Sequence, residues 1–206
     1  MVVIHYTAMK SAIAARDTLC NPDTQVSAHY LIAADGEVMS LVPEDLRAWH
    51  AGAGQWGAVT DVNSRSIGIE LANDGFSPFA AAQMDALVAL LQGINARWSI
   101  RPERVIGHSD MAPGRKIDPG RRFDWRRLAQ EGLAVWPDAT APADPGGFAG
   151  WMQAFGYTAT DDSDLLLSVF RLRFRPQATG PLDAIDAGMI RDLAARFPVD
   201  VNATWA

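Results

Sequence analysis

Residues Gly107-His108-Ser109-Asp110-Met111-Ala112-Pro113-Gly114-Arg115-Lys116-Ile117-Asp118-Pro119-Gly120 set a histidine, a lysine and an aspartate within a loop rich in glycine and proline. If Lys116-Ile117-Asp118 is extended, its side chains alternate, so Lys116 and Asp118 share one face and Ile117 takes the other. Charged groups held in this way, with His108 upstream, suit a metal ligand set or an acid/base site; the alternative is a solvated turn.

Three further positions extend this chemistry. The four histidines, His5, His29, His50 and His108, all lie in the N-terminal part of the chain. Any one alone is more often a hydrogen-bonded structural residue than a ligand. His5, however, sits in the first expected strand and His108 just after the last, and the ends of neighbouring strands bring distant ligands together. Glu70 interrupts Ile67-Gly68-Ile69-Glu70-Leu71, a segment otherwise too apolar to face water. A buried carboxylate is costly unless something uses it, so Glu70 reads as a general acid/base or as one half of a salt bridge to an arginine. A zinc hydrolase needs three protein ligands and an open position, and Zn²⁺ accepts two imidazoles and a carboxylate. His5, His108 and Asp118 supply that set, with Glu70 placed to take a proton from water and Lys116 to hold an oxyanion.

The elements that must position these residues follow from periodicity. Residues 2–6 read as a β-branched and aromatic strand, and 11–19 as a short helix. Residues 28–33 and 37–42 flank Asp35-Gly36 as a hairpin. A strand at 66–72 precedes a long amphipathic helix at 79–98, with Met84, Leu87, Val88, Leu91, Ile94 and Trp98 at helical spacing. A short strand at 105–107 leads into the opening motif, and 125–130 closes with a helix. This order implies an α/β fold, a mixed central sheet flanked by helices. Residues 137–147, rich in proline, glycine and small side chains, read as a linker or an extended wrap. Beyond it, apolar-periodic stretches at 148–155, 164–174 and 185–197 imply a small three-helix C-terminal domain docked on the first. The expected division is thus 1–136, 137–147 and 148–206.

Composition narrows the partners. Of 206 residues, 49% are hydrophobic and the net charge is -6, which argues for a globular chain and against a nucleic-acid partner. The single cysteine, Cys20, allows no internal disulfide. No apolar run approaches the roughly 20 residues of a membrane span, and no leader pattern opens the chain, so the expectation is a cytoplasmic protein, or a periplasmic one if a leader has been removed.

Ile4-His5-Tyr6-Thr7, Ser27-Ala28-His29-Tyr30, Ala48-Trp49-His50-Ala51-Gly52, Ser66-Ile67-Gly68-Ile69-Glu70-Leu71 and the opening motif together resemble the zinc-dependent N-acetylmuramoyl-L-alanine amidases of the amidase-2 type. The resemblance runs from Val2 to about Pro137. It implies Zn²⁺ on His5, His108 and Asp118, a catalytic Glu70, and Lys116 as oxyanion stabiliser. It further implies a groove for the muramoyl sugar and stem peptide lined by Tyr6, His29, Tyr30, Trp49, His50 and Asn73. Aspartate at position 118, where phage and animal relatives carry cysteine, points to the bacterial branch of wall turnover and recycling. The tail segments Val169 to Pro176 and Gly180 to Ala184 resemble the type 1 peptidoglycan-binding unit of the AmiD-like subgroup. Arg171 replaces its usual glutamine, which favours docking over glycan binding. The missing leader suggests the task of the AmpD-like branch, removal of stem peptides from imported anhydro-muropeptides; the alternatives are an exported amidase acting on intact sacculi and a non-catalytic peptidoglycan-binding protein.

Overall fold

The structure, a computed structural model, describes residues 1–138 and 141–200. The expected linker positions 139 and 140, and positions 201–206 of the expected tail domain, lie outside the described residues. A five-stranded sheet has the order β3-β2-β4-β1-β5, with β1 Val2–Tyr6, β2 Tyr30–Ile32, β3 Val38–Ser40, β4 Ile67–Leu71 and β5 Val105–Gly107. All neighbouring pairs are parallel except the β2–β3 hairpin at one edge, where Gly36 takes the positive φ (93°) that the turn requires. Among the described residues seven α-helices accompany the sheet: α1 Ala12–Leu19, α2 Ala81–Trp98, α3 His108–Met111, α4 Trp125–Gln130, α5 Phe148–Phe155, α6 Ser163–Phe174 and α7 Ala184–Arg196. This is the mixed α/β sheet flanked by helices that the sequence implied.

Strand alternation assigns the two sheet faces. Val2, Ile4, Ile67, Ile69, Leu71 and Val105 pack on one side under α2, whose Met84, Leu87, Leu91 and Ile94 are each at most 3% exposed. Four such side chains contribute roughly 6–12 kcal/mol of gross burial, well above what helix propensity alone supplies. The helical stripe is narrower than its spacing suggested, since Trp98, at 48% exposure, has left it. Its indole Nε1 instead donates to the Glu44 carboxylate.

Val3 and Ile106 face the other side, and their cover is the tail. They share one continuous core with Trp56, Phe148, Phe155, Tyr157, Phe170 and Ile190. Trp56 is fully enclosed, edge-on to Phe155 and Tyr157 at centroid distances of 5.6 and 4.9 Å. The three tail helices therefore close the core of the first unit as well as their own. The described part of 137–147 behaves as a wrap. Asp138 N–H donates to Asp192, Ala143 N–H donates to the Ala184 carbonyl, and Gly188 lets Ala141 lie directly against α7.

Candidate functional site

Parallel pairing brings the carboxyl ends of β1, β4 and β5 together, the position where open α/β sheets offer a crevice. His5 on β1 is in register with Glu70 on β4, so both side chains leave the sheet on the same face. Gly107 on β5 pairs with Ile4, which delivers His108 next to His5. The motif expected to be loop throughout begins instead with the short helix α3. The reason is Asp110, whose carboxylate accepts the Gly107 N–H at 2.8 Å and closes the turn. Ser109 N–H then donates to the Asp118 carbonyl at 2.9 Å, tying the loop back to α3 and carrying Asp118 to the two histidines.

His5 Nδ1, His108 Nδ1 and Asp118 Oδ2 stand 2.9, 2.9 and 3.0 Å from one another, and all three residues are buried. The outer hydrogen bonds assign the tautomers. His108 Nε2 lies 2.8 Å from the Ala51 carbonyl, which can only accept, so the proton is on Nε2 and Nδ1 is bare. The Ser66 hydroxyl donates to the Val62 carbonyl at 2.5 Å and is left as an acceptor for His50 Nε2–H at 3.3 Å. His50 Nδ1 is then bare and accepts from His5 Nε2–H at 3.0 Å, which strips His5 Nδ1 of its proton. Burial, with His108 adding to it, brings the His5 imidazole down to about 4, so it is neutral at physiological pH. With both imidazoles neutral and so oriented, three lone pairs face one another. A cation resolves that repulsion, and two imidazoles with one carboxylate are a donor set that Zn²⁺ accepts. The residues present fit the metal that the family resemblance implies.

Glu70 stands beside this group, half-buried as a residue, with its Oε2 enclosed and without a hydrogen-bond partner among the described residues. Burial pushes its carboxyl up to about 8; the Asp118 charge adds to the rise and Lys116 opposes it. Among the described residues no arginine bridges to Glu70, so the salt-bridge alternative finds no support. Glu70, Lys116, the three candidate ligands, Tyr6, Trp49 and His50 line one cleft of about 520 Å³. Lys116 and Asp118 both line it, and so does Ile117, which is 63% exposed, so the three side chains do not divide between two faces as an extended tripeptide would.

The remaining residues expected in the groove are elsewhere. His29 is fully buried, accepting from Gly68 N–H at Nδ1 and donating to the Leu46 carbonyl from Nε2. Tyr30 donates its hydroxyl to Glu44, and Asn73 ties its own loop through Gly75, Ser77 and Pro78. None of the three lines the cleft. Successive residues of a strand leave by opposite faces, so neighbours in one motif need not reach the same cleft. His50, by contrast, meets the site from beneath, as the partner that sets the His5 tautomer. Arg115 was missed. It donates to the carbonyls of Ala51 and Ala53 and lines the cleft beside Lys116. Its place beside Lys116 in the opening motif was the signal available.

Comparison with known proteins agrees with this geometry. A family model described as N-acetylmuramoyl-L-alanine amidase matches residues 1–121. The N-acetylmuramoyl-L-alanine amidase AmiD of Escherichia coli is 37% identical over 97% of this chain and 84% of its own length. The solved structure of that enzyme with the substrate anhydro-N-acetylmuramic acid-L-Ala-D-gamma-Glu-L-Lys superposes with a TM-score of 0.88 at 35% identity, covering 96% of this chain and 89% of the other. Pseudomonas aeruginosa AmpDh3 in complex with anhydromuramic pentapeptide superposes with a TM-score of 0.86 at 32% identity, covering 96% and 92%. The match takes in both the sheet that carries His5, Glu70 and His108 and the helical tail behind it, and the chain belongs to the N-acetylmuramoyl-L-alanine amidase family.

Proposed function

We propose that this protein hydrolyses the amide between N-acetylmuramic acid, in its 1,6-anhydro form, and the L-alanine of a muropeptide stem, with Zn²⁺ held by His5, His108 and Asp118. The observation that carries the reading is the convergence of three bare donor atoms within 3.0 Å beside an enclosed, unpartnered carboxylate. Two similar solved structures whose ligands are anhydro-muramyl peptides support the substrate class.

Zinc bound there supplies Lewis acidity toward water and the amide carbonyl. Glu70 accepts the proton of the attacking water and passes it to the amide nitrogen as the C–N bond breaks. Lys116 offers its ammonium to the carbonyl oxygen as negative charge grows there. His50 and the Ala51 carbonyl hold the two imidazoles in the tautomers that leave Nδ1 free. Trp49, 52% exposed on the cleft wall, offers a flat surface to the sugar or stem peptide.

The reading divides the chain into a catalytic unit, 1–136, a wrap, 137–147, and a helical unit, 148–206, whose part is to close the core. It assigns the protein to the recycling of soluble anhydro-muropeptides in the cytoplasm. No helix among the described residues is long and apolar enough to cross a membrane. Digestion of anhydro-muropeptides and of intact sacculi, followed by mass spectrometry, tests substrate and compartment together. Release of free stem peptide that is lost on chelation and in Asp118→Ala is expected; full activity in either would sink the zinc mechanism. Preferential attack on sacculi would move the enzyme to the envelope.

A further inference from the structure

The corner that presents His108 is gripped from behind by the tail. Asp110, two residues beyond His108, is 1% exposed, and its carboxylate collects three donors. The first is the Gly107 N–H at 2.8 Å. The other two come from the C-terminal unit: the Tyr157 hydroxyl at 2.5 Å and Arg173 Nη1 at 2.6 Å. Arg173 also donates to the Val105 carbonyl at 3.3 Å and lies over the Trp125 ring at 4.0 Å. A single guanidinium therefore reaches both ends of the β5–α3 corner, Val105 before it and Asp110 after it, with His108 between them.

Stability alone is a poor account of this arrangement. A buried ion pair contributes little net free energy once desolvation is counted, and Arg173 Nε is enclosed without a partner among the described residues. The aromatic core around Trp56 and Phe155 already docks the tail. What the pair adds is direction: it restrains the backbone from which His108 Nδ1 is aimed.

We propose that Arg173 and Tyr157 are positioning residues of the metal centre, acting through Asp110 to hold His108 in ligating geometry. The C-terminal unit is then a working part of the metal site. This inference rests on the zinc reading above, and its test separates the two. Metal-free full-length protein is titrated with zinc against a chromophoric chelator, with kcat and KM on anhydro-muropeptide and the metal-free Tm measured in parallel. Tyr157→Phe keeps the ring and removes only the hydroxyl; Arg173→Lys keeps the charge and removes the fork. Both are expected to weaken zinc binding about 10–100-fold, to lower kcat at limiting zinc with KM little changed, and to recover kcat in excess zinc. Arg175→Gln serves as control, because it breaks ion pairs to Asp183 and Asp186 inside the tail and should lower Tm without changing zinc affinity. Wild-type zinc affinity in Tyr157→Phe overturns the inference, as does an equal loss of affinity in Arg175→Gln. Should Arg173→Lys fail to fold, Tyr157→Phe decides. Failure of the wild-type protein to bind one zinc would overturn the metal reading, and this inference with it.

Discussion

Gly68 lies two residues before Glu70 on the same face of β4, and the space above it is filled by the His50 ring. A Cβ at position 68 would stand 2.3 Å from His50 Cγ, 2.4 Å from Cδ2 and 2.6 Å from Nδ1. In Gly68→Ala the ring must retreat about 1.1 Å to reach ordinary contact at 3.4 Å. Its 3.0 Å hydrogen bond to His5 Nε2 and its 3.3 Å contact with Ser66 are not expected to survive such a shift together. Overpacking of this kind costs about 1–3 kcal/mol, which for a chain of this size lowers Tm by roughly 2–12 °C. Loss of the bond that sets the His5 tautomer should weaken zinc binding about 10–100-fold. Calorimetry and zinc competition read the two effects separately. His50→Ala added to Gly68→Ala removes the clash, so Tm should partly recover while zinc affinity stays low. Wild-type zinc affinity in Gly68→Ala, or in His50→Ala alone, would refute the relay from Ser66 through His50 to His5.

Three other outcomes follow from the same geometry. Glu70→Gln should lower kcat about 10²–10⁴-fold with zinc affinity unchanged within a few-fold; near-normal turnover would remove Glu70 from proton transfer. Lys116→Met should lower kcat about 10²–10³-fold with little change in KM, and a dominant KM effect would make Lys116 a substrate anchor instead. Glu44 accepts from Arg97, Tyr30 and Trp98, and the Arg97 hydrogen bond leads in holding its carboxyl down at about 2 from the usual 4.5. The folded form therefore binds this proton less readily than the unfolded one. Its stabilisation is present above pH 4.5 and is lost as pH falls toward 2. Acid unfolding of Glu44→Gln should lose that part of the slope, and an unchanged acid limb would show that the cluster contributes nothing.

Strand, helix and hairpin periodicities in the sequence were enough to place β1, the β2–β3 hairpin, β4, α2 and β5, because each buries a regular face whose pattern of apolar residues is local. The candidate ligands and Glu70 were legible for a related reason: a carboxylate inside Ile67–Leu71 and a His, Lys and Asp among glycines and prolines are chemically out of place unless used. What lay beyond reach was decided by contacts between residues far apart in the chain. The helix α3 depends on the Asp110 carboxylate and, behind it, on Arg173 and Tyr157. The side on which His29, Tyr30 and Asn73 present their side chains depends on which partners wait there. The tautomers of His5 and His108 are set by the Ser66 hydroxyl and the Ala51 carbonyl, one directed through His50. By itself the sequence determined which groups are available for chemistry and the elements that carry them. Only the tertiary structure decided which donor atoms turn toward one another stripped of protons, because a proton's position is set by the partner on the far side of the ring.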